Sequence, residues 1–171
     1  IYFNQGHVCC AGSRLFVEEP ILDIVVKKLK HRLKSLRVGD PLDKNTDVGA
    51  INSKAQLQTI QSYIDLGEDE GATYYSCQSE RLPSKGYWCH PCFFTDVQPS
   101  HTIAREEIFG PVLSVVRAKN FDEALKLVND HEYGNGVSIF TRDGDTGRTF
   151  YNKAKIGMVG INIPIPVPMA F

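Results

Sequence analysis

The sequence predicts an α/β domain of three layers, a mostly parallel sheet with helices flanking it. Three observations lead there. Helical and strand-like segments alternate along the chain, as βαβ units require. Val112-Leu113-Ser114-Val115-Val116 is an apolar run, the pattern of a strand buried on both faces. The 171 residues are 42% hydrophobic and 23% charged, which suits one globular domain with a sizeable core.

Each element has its own signal. Arg14-Leu15-Phe16-Val17 reads as a short strand. Glu18, Glu19 and Pro20 suit a helix start, and apolar positions 22, 25, 26, 29, 33 and 36 follow helical spacing. The breaker cluster Val38-Gly39-Asp40-Pro41 ends that helix. A polar loop spans Asp43 to Gly49. Asn52 or Ser53 caps a second helix, with Leu57, Ile60, Tyr63 and Ile64 on its buried side and Gly67 or Gly71 at its end. Thr73–Ser76 is a strand, Gln78–Lys85 a loop, and Tyr87–Val97 an extended aromatic stretch. After the 112–116 strand come a helix over 122–130, a strand over 137–141, a helix over 145–155 and a strand over 158–163. The tail Pro164-Ile165-Pro166-Val167-Pro168 suits neither a helix nor a central strand.

Composition excludes several functions. With 19 basic and 20 acidic side chains the formal charge is −1, so the chain as a whole offers no field for nucleic acid or an anionic membrane. No apolar stretch is long enough to span a bilayer, and no signal peptide is visible. Five cysteines at 9, 10, 77, 89 and 92 make an odd set unlike a secreted disulfide framework. Asn-x-Ser/Thr acceptor sites are absent. The expected location is the cytoplasm first and the mitochondrial matrix second. The chain starts at Ile1 and stops at Phe171, and is read as a piece of something longer.

Two segments could carry chemistry. In Phe3-Asn4-Gln5-Gly6-His7-Val8-Cys9-Cys10-Ala11-Gly12-Ser13-Arg14, a cysteine in a glycine-flanked turn is approachable from one side. Its small neighbours would let backbone N–H groups face a developing anion. The plainer reading is a buried cysteine pair beside a strand. In Ile103-Ala104-Arg105-Glu106-Glu107-Ile108-Phe109-Gly110-Pro111-Val112, paired carboxylates lead into the buried strand, and the plainer reading is a solvated acidic helix end.

Asn-Gln-Gly-x-x-Cys-x-Ala-Gly-Ser-Arg resembles the active-site segment of the NAD(P)-dependent aldehyde dehydrogenase superfamily, and Glu-Glu-Ile-Phe-Gly-Pro resembles a second motif of that family. Val38–Asp43, Gly49–Ile51, Phe94–Val97 and Tyr133-Gly134 agree, so the likeness covers residues 1 to 171. It implies a single catalytic domain over 1–171, without the nucleotide-binding domain and C-terminal tail. It makes Cys9 the nucleophile. It gives Glu107 the nicotinamide ribose hydroxyls, since a carboxylate accepts two donors at once, and places Phe109 beside the nicotinamide. The family usually has Gln or Glu where this chain has His7.

The resemblance also implies NAD or NADP as cofactor and an aldehyde as substrate in the full-length enzyme. The family's general base and oxyanion carboxamide lie upstream of the cysteine, and no G-x-G-x-x-G follows a strand here. The chain alone is therefore expected to bind no cofactor and to be inactive. Residues 1 to about 110 resemble a general, non-acylating branch. Residues 121–171 resemble methylmalonate-semialdehyde dehydrogenase through Tyr133–Gly136, Thr141–Gly144, Gly157–Asn162 and the proline tail. That pairing suggests a chimera joined between Phe109 and Phe121. The rival to a catalytic piece is a non-catalytic excised or chimeric fold module, and exposed former interfaces leave a non-native homo-oligomer open.

Weaker signals have plain readings. Cys89-His90-Pro91-Cys92 could be redox-active or half a zinc site with His7, Cys9 and Cys10, but reads as a strand carrying two thiols, so no metal is expected. Lys27, Lys28, Lys30, Arg32, Lys34 and Arg37 read as a solvated helix face. His101 and His131 read as surface histidines, and Trp88 with Tyr87 as packing.

Overall fold

A computed structural model describes residues 1–76 and 81–167. Cys77, the Gln78–Glu80 part of the expected loop and Pro168 lie outside the described residues. The elements are β1 (Arg14–Glu18), α1 (Leu22–Leu33), α2 (Lys54–Asp69), β2 (Thr73–Ser76), β3 (Cys92–Val97), α3 (Thr102–Arg105), β4 (Val112–Ala118), α4 (Phe121–Asn129), β5 (Gly136–Ile139), α5 (Gly144–Lys153) and β6 (Met158–Ile161).

The main sheet has the order β1-β4-β3-β2. β4 runs parallel to both β1 and β3, while β2 is an antiparallel edge. Successive side chains of a strand point to opposite faces, and the two faces carry two cores. Phe94, Val112 and Val116 pack with Ile60 and Ile64 of α2. Phe93, Leu113 and Val115 pack with Val17, and with Leu33 and Leu36 at the end of α1. The expected three layers are thus α1, the sheet, and α2 on the far side. The apolar run of β4 is buried because each of its faces is covered by a helix.

The sheet is not continuous among the described residues. β5 and β6 form a separate parallel pair, so the expected succession of βαβ units is divided between two sheets. Two boundaries also differ from expectation by more than two residues. Leu36 is buried, but α1 ends at Leu33. Ser35 accepts from Arg32 Nη1 at 2.7 Å and donates back to the Arg32 carbonyl at 2.8 Å, a local bond that competes with helix continuation. The apolar spacing persists because the turn that follows still points Leu36 inward. Residues 87–91 are not strand: the Trp88 indole donates to the Lys85 carbonyl, and the Tyr87 carbonyl accepts from Ile51 N–H. Ser53, not Asn52, caps α2, accepting from Gln56 N–H at 3.1 Å.

Phe94 is fully buried, with its ring edge against Gly67 of α2 and tilted on Tyr74. Phe94→Ala is expected to cost about 3–5 kcal/mol, read as a lowered midpoint in urea unfolding.

Candidate functional site

The site is assembled where parallel strands begin. The cysteine segment precedes β1, the second motif precedes β4, and the loop 131–135 precedes β5. Open α/β sheets usually bind ligands at the carboxyl ends of their strands; here the amino ends of three strands converge instead. Between them lies a cleft of about 270 Å³ lined by Cys9, Cys10, Glu107, Phe109, Tyr133 and Asn135, among others.

A tight turn delivers Cys9. Asn4, Gln5 and Gly6 take positive φ values of 48°, 46° and 77°, a conformation natural for glycine and tolerated by asparagine. Gln5 Oε1 accepts from Gly49 N–H at 3.2 Å, tying the turn to the loop before α2. Ala11 N–H then bonds to the Val8 carbonyl at 2.9 Å, placing Cys9 and Cys10 at the corners of a second turn. Cys9 is exposed and Cys10 partly so. That bond uses the Ala11 N–H, one of the groups expected to face a developing anion. Asn135 Nδ2 donates to the Cys9 carbonyl at 2.8 Å, fixing the turn from the β5 side.

The second motif is braced equally closely. Gln56 of α2 donates to the carbonyls of Ile108 and Phe109 at 3.0 and 3.2 Å. Phe109 has φ 54° and is 38% exposed, a left-handed conformation that costs a bulky residue strain energy. The Glu107 carboxylate is exposed and makes no hydrogen bond or ion pair among the described residues. Its neighbour Glu106 accepts from the Tyr63 hydroxyl at 2.6 Å, which pushes the tyrosine pKa up to about 12. The adjacent carboxylates therefore differ, one engaged by the fold and the other open to the cleft.

The two motifs touch through their glycines. A Cβ on Gly6 would lie 2.1 Å from the Gly110 carbonyl oxygen, and one on Gly110 would lie 2.6 Å from Ile60 of α2. The cysteine turn, the second motif and the helix core are therefore stacked without room for a methyl group at either contact.

Sequence reasoning singled out Cys9, Glu107 and Phe109 as candidates, and the fold brings all three to one cleft. It missed Asn135 and Gln56, which act by long-range contacts to backbone carbonyls, and no local pattern could signal them. His131, read as a surface residue, also lines the cleft. Its Nδ1 accepts from Tyr133 N–H at 3.0 Å. Burial, then the nearby Arg14 charge, lower its pKa.

Cys89 and Cys92 are buried away from this cleft. Burial raises both thiols, Cys89 to about 11, so they stay protonated near neutral pH. Among the described residues no three His, Cys, Asp or Glu side chains are grouped to hold a metal ion, and no helix is long and apolar enough to cross a membrane.

A mostly parallel sheet thus gathers an exposed cysteine, an open carboxylate and an aromatic ring around one cleft at its strand entrances. The aldehyde dehydrogenase family model matches residues 1–170, and the chain belongs to that family. It is 39% identical over 178 aligned residues to malonate-semialdehyde dehydrogenase of Pseudomonas aeruginosa, covering 99% of this chain and 35% of that protein. It is 39% identical to the mitochondrial aldehyde dehydrogenase of Homo sapiens, covering 95% of this chain and 31% of that one. Among solved structures, a Sinorhizobium meliloti 1021 protein assigned as a methylmalonate-semialdehyde dehydrogenase and complexed with NAD superposes with a TM-score of 0.94. It shares 44% identity, over 99% of this chain and 35% of that one. The chain thus spans about a third of the length of these relatives.

Gly6→Ala is expected to lower the unfolding midpoint, because the added methyl meets a carbonyl and the positive φ alone costs about 1–3 kcal/mol. Gly12→Ala, whose new Cβ would lie 3.7 Å from Ile165, is expected to stay within about 0.5 kcal/mol of the parent. Urea denaturation of the two variants side by side checks the contrast.

Proposed function

We propose that this chain is the nucleophile-bearing catalytic domain of an NAD(P)-dependent aldehyde dehydrogenase, with Cys9 as the nucleophile. The observation that carries it is the meeting of two distant motifs at one cleft. Exposed Cys9 and open Glu107 line the same space, beside a Phe109 ring held in a costly conformation.

The chemistry follows from these groups. The Cys9 thiolate adds to the aldehyde carbon, forming a C–S bond and placing negative charge on the oxygen. Loss of hydride from that carbon leaves a thioester. Water cleaves the thioester, releasing the acid and restoring the thiol. NAD(P), when bound, supplies the hydride acceptor. The residues present fit such a cofactor: the unpartnered Glu107 carboxylate offers two acceptor oxygens to a ribose diol, and the exposed Phe109 ring offers an apolar face to the nicotinamide.

The resemblance puts the general base and the oxyanion carboxamide upstream of the cysteine. Residues 1–171 expressed by themselves are therefore proposed to lack turnover, with an aldehyde and NAD giving no rise in NADH absorbance. A measurable rise would overturn this part of the reading.

The two branch likenesses meet between Phe109 and Phe121, an interval filled largely by β4. That strand is buried between β1 and β3, so a join there would require the cores of both parents to match.

Iodoacetamide tests the nucleophile. Cys9 is expected to be alkylated well before Cys89 and Cys92, as mapped by peptide mass spectrometry. In the full-length protein, aldehyde with NAD is expected to protect Cys9, and Cys9→Ser to abolish turnover while Cys10→Ser retains it. Turnover surviving Cys9→Ser would reassign the nucleophile.

A further inference from the structure

His7 stands where the family usually has Gln or Glu, and its side chain packs on the second motif. Its ring is stacked on Phe109, with centroids 5.7 Å apart and planes within 12°. Its Nε2 is enclosed and has no hydrogen-bond partner among the described residues. The backbone on both sides is held. His7 N–H donates to the Asn4 carbonyl at 2.9 Å, Asn4 Nδ2 donates to the His7 carbonyl at 3.2 Å, and Gly6 is seated on Gly110. The ring therefore has little freedom to turn an enclosed nitrogen toward solvent.

A neutral imidazole carries one N–H and a cation carries two. With Nε2 enclosed and without an acceptor, the arrangement suits the neutral tautomer protonated on Nδ1. Protonating Nε2 would bury a charged donor with nothing to receive it, a costly state. The nearby ionisable groups do not relieve that cost. They are Glu106 and Glu107 on the Phe109 loop, and Cys9 and Cys10 following the turn. None of them bonds to or pairs with His7, and Glu106 is engaged by Tyr63.

We propose that neutral His7 is a positioning residue that holds the Phe109 ring in its exposed, left-handed pose, and that protonating His7 releases the ring. The consequence for cofactor binding rests on the reading of Phe109 given under Proposed function; the coupling of the two rings does not.

The direction of the pH effect is fixed. Burial lowers the His7 pKa from its ordinary 6.5. In the acid range the unfolded chain thus binds more protons at this site than the folded one, and stability contributed here is lost as pH falls. The stack is intact above about 6.5 and opens as pH falls through the folded-state value. His90 and His131 are also lowered, chiefly by burial, so a global melting curve mixes three histidines and a residue-resolved measurement is needed.

The experiment is an NMR titration of the 171-residue protein labelled with ¹³C at the histidine Cε1 and the phenylalanine rings, with His7→Gln and Phe109→Leu variants assigning the signals. The expected result is a His7 midpoint below 6.5, Phe109 ring shifts moving with that same midpoint, and a Phe109 signal in His7→Gln that no longer follows it. A His7 midpoint at or above 6.5, or Phe109 shifts indifferent to His7, would overturn the proposal. The wild-type titration decides this even where a variant fails to fold. NAD added at pH 7.5 to the full-length protein carrying the same labels reads the other layer. Movement of Phe109 on adding NAD supports its cofactor role. No movement, with the two rings still titrating together, counts against that role and leaves the coupling established.

Discussion

The tightest glycine packing among the described residues is the contact of Gly6 with the Gly110 carbonyl, continued by Gly110 against Ile60. The first is a contact between backbones that a Cβ on Gly6 would block, and the second seats Gly110 on the Ile60 side chain where a Cβ of its own would collide. Through it the cysteine turn rests on the second motif, and the second motif rests on the core beneath α2. The hydrogen bonds from Gln56 and Asn135 act on a geometry these glycines already limit. Without that approach the cleft would be wider, and Cys9 would no longer share it with Glu107 and Phe109.

The sheet explains why the site lies where it does. β4 is covered on both faces and paired on both edges, so the chain entering it has little freedom. Gly110 and Pro111 are the last residues before that strand, and Cys92 N–H donates to the Pro111 carbonyl at 2.9 Å. The loop carrying Glu107 and Phe109 is thus anchored by a strand buried on both faces, while these two side chains are exposed. This is the usual division between a rigid support and exposed chemistry. It places strain, in the positive φ of Phe109, beside the proposed chemistry rather than within the core.

Much of the architecture was legible. The run from Val112, the alternation of elements and the buried side of α2 rest on periodicity, which burial enforces strongly. The errors are local. Leu36 keeps helical spacing beyond the helix because a buried position can be reached from a turn as well as from a helix. Tyr87 and Trp88 look like strand by composition, yet their polar atoms bond to Ile51 and Lys85 instead of to a neighbouring strand. The separation of β5 and β6 from the main sheet leaves no mark in either strand's own sequence.

The sequence by itself determined the family and the identity of the proposed reactive groups, because the cysteine turn and the Glu107–Phe109 motif are short, contiguous patterns. It also determined which faces are apolar, since side-chain period follows from backbone geometry. Only the tertiary structure decided which groups meet. Asn135 reaches the Cys9 carbonyl across 126 positions of sequence, Gln56 holds a loop more than 50 residues away, and His7 lies flat on Phe109. Such contacts depend on how closely two backbones approach. Here that distance is set by glycines packed against carbonyls and by a helix beneath them, which no single segment of the chain encodes.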